Sequence, residues 1–128
     1  MKWRYEHYRN IDGGCITLAM VDEDDGMSLF SYALCSPKQR FSKKIGRDIA
    51  RGRGESGNWS TKIETSKTGR AQFRKALERL LIGAMKNESW VVRSQWLRNY
   101  VHRKYNDLMT PDEWVDLIVR DHLKFISK

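Results

Sequence analysis

The sequence predicts an α+β fold in a single domain: a three-stranded antiparallel meander over residues 1–35, then a mainly helical region over 36–128 with about four helices and a flexible loop near 52–58. Three observations predict it. Apolar and polar residues alternate in three short runs separated by turn-forming clusters, which is the period of half-buried strands. From residue 36 onward apolar residues recur every three to four positions, and both prolines, Pro37 and Pro111, sit where a first helical residue belongs. At 128 residues with 40% hydrophobic content, the chain is long enough for one modest core and too short for two.

The first strand covers residues 2–9, with Trp3, Tyr5 and His7 on one side and Lys2, Arg4 and Glu6 on the other. Asn10-Ile11-Asp12-Gly13-Gly14 supplies turn residues that tolerate positive φ. The second strand covers 15–21, Asp22-Glu23-Asp24-Asp25-Gly26 is a hairpin loop, and the third strand covers 27–35. Setting Val21 opposite Met27 puts Ile16, Leu18, Met20, Phe30, Tyr32 and Leu34 on one bulky face, which predicts the core. The other face carries Cys15, Thr17, Ala19, Ser31, Ala33 and Cys35, with Val21, Met27 and Leu29. Those small residues either admit a closely packed helix or lie near solvent.

Ser36-Pro37-Lys38-Gln39 reads as a helix start: Ser caps, Pro takes the first position and Gln closes a capping box. Phe41, Ile45 and Ile49 then form an apolar stripe, with Lys38, Arg40, Lys43, Lys44, Arg47 and Arg51 over the remaining surface. Gly52-Arg53-Gly54-Glu55-Ser56-Gly57-Asn58 reads as the flexible loop, and residues 59–65 as a short strand. A second helix over about 70–86 turns Phe73, Ala76, Leu77, Leu80, Leu81 and Ala84 inward and Arg70, Arg74, Lys75 and Arg79 outward. A third helix over about 89–105 has a wide apolar face that includes Trp90, Val92, Trp96, Leu97, Tyr100 and Val101. Thr110-Pro111-Asp112-Glu113 caps a fourth, which Trp114, Leu117, Ile118, Val119 and Phe125 carry to the end.

Charge is segregated along this plan. Residues 36–104 hold 18 of the 24 basic residues and five acidic ones, a balance of +13 inside a formal net charge of +8. A concentrated positive field attracts and steers polyanions. Lys38, Arg40, Lys43, Lys44, Arg47, Arg51 and Arg53 fall within sixteen residues, and Trp59 just beyond them either stacks on an unpaired base or is a core residue. Trp96 and Tyr100 are either core or a protein interface; a basic strip beside aromatics also fits an acidic surface on another protein.

Other chemistries find little support. No run approaches the roughly 20 apolar residues of a membrane span, and the start has no signal-peptide core, so a cytosolic protein is expected, with no membrane partner. In that compartment Asn58-Trp59-Ser60 and Asn87-Glu88-Ser89 are chance sequons, and Cys15 and Cys35 are expected as reduced, semi-buried thiols. His7, His102 and His122 lack metal-ligand spacing, and no phosphate loop, dinucleotide fingerprint or nucleophile elbow is present. The acidic hairpin does not match a calcium loop, which needs Gly at its sixth and Glu at its twelfth position. Asp48, Glu55 and Glu64 are the carboxylates a metal-dependent nuclease would draw on; Asp48 and Glu64 read instead as local partners of Lys44, Arg47 or Lys62. The expectation is a non-enzymatic protein with no catalytic residues, metal or cofactor.

The segment from Ala33-Leu34-Cys35-Ser36-Pro37-Lys38, through Phe41-Ser42-Lys43-Lys44-Ile45-Gly46-Arg47, to Ala50-Arg51-Gly52-Arg53 resembles a segment in small accessory proteins of tailed bacteriophages. It spans about a sixth of the chain. The resemblance implies a phage protein working in the cytoplasm of an infected bacterial cell, and it brings no catalytic residues. Three functions follow as expectations. The first is nucleic-acid binding, to DNA or RNA, through the basic helix and the Arg-Gly loop. The second is inhibition of a host defence or nucleic-acid-processing protein through the same strip and the aromatics of the third helix. The third is a metal-dependent nuclease.

Overall fold

A computed structural model of the chain describes residues 2–10, 14–23, 25–36, 38–65, 69–91 and 123–125. Three strands open the fold: β1 Arg4–Asn10, β2 Cys15–Asp22 and β3 Met27–Cys35. Helix α1 Lys43–Ser56, strand β4 Ser60–Glu64, helix α2 Gly69–Met85 and strand β5 Leu123–Phe125 follow. All pairs are antiparallel, and the five-stranded sheet has the order β4-β3-β2-β1-β5. The fold is α+β, with the meander at its N-terminal end.

The β2–β3 register pairs Val21 with Leu29 and Asp22 with Ser28, two residues away from the expected pairing. Side-chain period in a strand is two, so a shift of two preserves both faces. The strands run further because the tip is tied down: Glu23 N–H bonds the Met27 carbonyl at 2.9 Å, and the Ser28 hydroxyl donates to Asp22 at 2.7 Å. The acidic tip is neutralised from its neighbours, Asp22 by Arg4 at 2.9 Å and Asp25 by Lys62 at 3.4 Å.

The bulky face is the main core. Ile16, Leu18, Met20, Phe30 and Tyr32 are fully buried against Phe73, Ala76, Leu77, Leu80, Leu81 and Ala84 of α2, the inward set that helical periodicity predicts. Each fully buried large apolar side chain contributes roughly 1.5–3 kcal/mol. Trp90 packs edge-on to Phe30 and Tyr32 at centroid distances of 5.6 and 6.0 Å, and its backbone carbonyl accepts the Tyr32 hydroxyl.

The opposite, small face receives α1. Ala19 and Ala33 meet Ala50 there, with Tyr5 of β1 and Trp3 just before it packed against the contact. Of the two outcomes open to small residues on a sheet face, the closely packed helix is the one found.

Several expectations change. Lys38 and Gln39 lie in a turn, and α1 begins at Lys43, six residues later than the Ser36 cap implied, with Ser42 as its cap. Half of the capping box forms, Ser36 N–H to Gln39 Oε1 at 3.2 Å, while the Gln39 N–H bonds the Ser36 backbone carbonyl at 3.0 Å, as in a single turn, and not the Ser36 hydroxyl. The helix does not start there: the Ser36 carbonyl is taken by the Gln39 N–H of a single turn, with the Cys35 thiol 3.7 and 3.5 Å from the Ser36 and Gln39 carbonyls, and Phe41 packs edge-on to His7 ahead of the helix. The expected flexible loop at 52–58 is helix as far as Ser56, closed by Gly57 in the left-handed conformation (φ 77°). Phe125 lies in β5, beside Tyr8 of β1, instead of ending a helix. Ser89, Trp90 and Val91, at the expected start of the third helix, form a turn and bend, because Trp90 is folded back onto Phe30 and Tyr32; the rest of that helix and the fourth before Leu123 fall outside the described residues. Among the described residues no helix is long and apolar enough to cross a membrane.

Candidate nucleic-acid interface

Helix α1 is built to sit close to the sheet. Ser42 is extended (φ −133°, ψ 121°), and its hydroxyl accepts the Ile45 N–H at 3.3 Å, satisfying one of the free donors of the first turn. Gly46, Ala50 and Gly54, four residues apart, form the inward stripe. A methyl group at Gly46 would lie 3.2 Å from Thr17 Cβ and closer still to its hydroxyl; one at Gly54 would lie 2.5 Å from the Trp3 ring and 2.8 Å from Ser31 Oγ. The Ser31 hydroxyl donates to the Ala50 carbonyl, fixing the helix at mid-length.

This docking turns Ile45 and Ile49 outward, 60% and 43% exposed. The sequence pattern placed them on a buried stripe with Phe41. The sheet beneath is surfaced by Thr17, Ala19, Ser31 and Ala33, and only small helix residues let two backbones approach so closely. Phe41 precedes the helix and is half-buried, its ring edge-on to His7 at 5.5 Å.

The predicted basic residues divide into two groups. Lys38 and Arg40 are exposed in the segment leading to α1, Lys43 is half-buried in its first turn, and Lys44 and Arg47 are exposed on its outer side. The first turn contains no acid. Lys44 meets Asp48 at 3.4 Å with both side chains largely in solvent, a weak pairing that a phosphate can displace. Among the described residues no carboxylate forms an ion pair with Lys38, Arg40 or Arg47.

The second group is committed elsewhere. Arg51 is hydrogen-bonded to Glu55 one turn on. Arg53 is half-buried and donates to the Tyr32 carbonyl at 3.0 Å, one residue past the last β3–β4 pair, Ser31 with Ser60. Its guanidinium also lies 5.9 Å from the Tyr32 ring centre. Arg53 therefore ties the end of α1 to the strand and is no part of a flexible Arg-Gly element. Trp59 is 37% exposed and has φ 52°, rare for a bulky residue, at the entry to β4. The structure brings together the basic residues from Lys38 to Arg47 around the start of α1, and Trp59 lies at the helix's other end. Trp96 and Tyr100 lie outside the described residues.

Sequence reading missed a cleft beside the first basic group. It holds about 310 Å³ between the small sheet face, residues 39–42 and the N-terminal half of α1. Thr17, Ala33 and Cys35 line its sheet side, Phe41, Ile45 and Ile49 its other walls, and Arg40 lines it too. Thr17 is 2% exposed and its hydroxyl shares a 2.8 Å hydrogen bond with Nδ1 of buried His7. Cys15 and Cys35 are directly paired across β2 and β3 and are not joined by a disulfide. Burial, and secondarily the neighbouring Cys15, push the Cys35 thiol above its ordinary pKa, so it stays protonated at neutral pH and is a poor nucleophile. The small-residue parity of β2 and β3, read with Gly46, Ala50 and Gly54, was the available signal for this wall.

No family model, curated protein or solved structure matches the chain.

Asp48 and Glu55, weighed above as metal-binding carboxylates, each face a cation one turn away on α1, and the Glu64 carbonyl accepts the Gln72 side chain at 2.8 Å. Among the described residues there is no group of three or more His, Cys, Asp and Glu side chains suited to a metal ion.

Proposed function

We propose that this protein binds nucleic acid, without chemistry of its own, through the leading segment and N-terminal half of α1. The observation that carries the reading is the cluster of Lys38, Arg40, Lys44 and Arg47, exposed around a helix start that has no acid in its first turn, with Lys43 among them. Backbone N–H groups at that helix end favour anions as well. The phage-like segment from Ala33 to Arg53 coincides with this surface, which supports a setting in an infected bacterial cell.

Four or five phosphate contacts predict that affinity for a single strand falls roughly 50- to 100-fold between 50 and 200 mM salt. Fluorescence anisotropy across that range tests it. Charge reversal by R40E, K44E and R47E together should abolish binding while leaving the melting curve close to wild type. No binding at 50 mM salt would refute the proposal.

One observation favours a second reading, inhibition of a host protein. Ile45 and Ile49 are large exposed apolar residues among the cations, a mixture suited to an acidic protein groove. A nuclease-resistant, stoichiometric complex recovered from bacterial lysate, lost on I45E, would favour it.

A further inference from the structure

Phosphate contacts alone leave the cleft beside α1 unused. Its volume of about 310 Å³ lies at the lower end of the range for small-molecule sites, room for one ring system and not for several. Its walls are mixed: the Phe41 ring and the Ile45 and Ile49 side chains are apolar, while Thr17 and Gln39 bring hydrogen-bonding groups. Arg40 is both a lining residue and exposed, so a cation stands at the mouth, with Lys44 and Arg47 on the same half of the helix. Phe41 is held by its edge contact with His7, and the helix is set at a fixed height by Gly46 against Thr17. The wall is therefore formed before any ligand arrives.

A purely apolar ligand would gain nothing from the cations, and a bare phosphate would gain nothing from the ring and the isoleucines. A flat heterocycle with a phosphate attached uses both. We propose that the cleft receives one unpaired nucleobase, stacked on Phe41, while Arg40 and Lys44 hold its flanking phosphates. Bases in a duplex are held by pairing and stacking and must be extruded to enter such a site, so the protein prefers single strands. This inference rests on the nucleic-acid reading above.

The test is anisotropy of fluorescein-labelled dT12 at 50 mM salt, with three competitors: unlabelled dT12, a 12-residue abasic phosphodiester strand, and a 12-base-pair duplex. Loss of one stacked base predicts that the abasic strand competes about tenfold more weakly than dT12, and the duplex likewise. Two variants address the cleft directly. Phe41→Leu removes the stacking ring and Cys35→Leu adds bulk inside the cleft; each should bring dT12 down to the abasic level and leave abasic binding unchanged. Equal competition by all three strands, with both variants silent, would overturn the inference and leave the nucleic-acid reading standing. Absence of binding by any strand would overturn both. Thymidine monophosphate supplies the remaining arm: competition equal to that of dT12 would make the ligand a free nucleotide and overturn the strand assignment.

Discussion

Two glycines in the same helix should respond in opposite directions to the same substitution. In a helix interior, Gly→Ala gains about 1 kcal/mol from backbone propensity. At Gly52 nothing lies within 4 Å of the added methyl, so G52A should keep that whole gain. At Gly46 the methyl would stand 3.2 Å from Thr17 Cβ, 3.6 Å from its Cγ2 and nearer to its hydroxyl. Thr17 cannot easily yield: it is buried in β2, and its hydroxyl is bonded to buried His7. Turning the hydroxyl away breaks that bond at a cost of about 1–3 kcal/mol, and lifting α1 costs a similar amount through strained packing. After subtracting the propensity gain, G46A should lose up to about 2 kcal/mol. For a domain of this size each kcal/mol moves the melting temperature by roughly 3–5 °C. Thermal melts by circular dichroism should therefore show Tm raised by about 3–5 °C for G52A and lowered by up to about 10 °C for G46A. A double-mutant cycle with Thr17→Ala should give a coupling energy of the sign expected when one change relieves the other. A G46A variant that melts above wild type, as G52A should, would refute the close seating of α1 on Thr17, and with it the position of the cleft wall.

Three other perturbations probe the remaining joints. Ser42→Ala should cost about 0.5–2 kcal/mol in chemical denaturation as the cap of α1; Ser36→Ala, which leaves the backbone bonds of the 36–39 turn intact, should stay within about 0.5 kcal/mol, whereas the reverse order would restore the earlier helix start. Glu88 is held below the ordinary carboxylate pKa first by the hydrogen bond from Arg79 and also by that from Trp90 Nε1, against desolvation. A depressed folded pKa gives stability that is fully present above the unfolded value and is lost as pH falls through the folded one. The Tm gap between wild type and E88Q should accordingly be constant from pH 7 down to the ordinary carboxylate range and close below it; a gap unchanged at pH 2 would sink the assignment. Arg53→Met should lower stability by about 1–2 kcal/mol through the lost bond to the Tyr32 carbonyl, yet leave the salt dependence of nucleic-acid binding unaltered, while R47E should do the opposite in the same two assays.

What was legible in the sequence, and what was not, follows from how local each signal is. The two faces of the meander could be read because strand parity survives even a misplaced register, and α2 could be read because Phe73, Leu77, Leu80 and Leu81 repeat with a helix's own period. Helix α1 misled twice. Its start was masked by Ser36 and Gln39, which make half of a capping box and close a single turn without starting a helix. Its second half resembled a loop because Gly52, Gly54 and Gly57 read as breakers, yet Gly54 is helical where the Trp3 ring and Ser31 leave no space for a side chain. The stripe of Ile45 and Ile49 pointed the wrong way for a related reason: local pattern marks which residues are apolar and not how small the surface beneath them is. Strand β5 depends on pairing with β1, over a hundred residues earlier, and no local period reports that.

The two helices divide the work between them. Among the described residues, thirteen buried side chains belong to the cluster on the α2 side and three to the cluster under α1. Apolar burial is thus concentrated on one face of the sheet, and α1 is retained by closeness, through Gly46, Ala50, Gly54 and the Ser31 and Arg53 hydrogen bonds. A helix seated on small residues presents most of its large ones outward. For α1 these include Lys44, Ile45, Arg47 and Ile49, the side chains on which both proposed kinds of partner depend. Substitutions at those four positions should therefore change binding far more than folding, because they add nothing to the core. The +13 charge of the middle segment is accordingly uneven in use: the cations before and at the start of α1 are available to a ligand, while Arg51 and Arg53 near its end serve the fold.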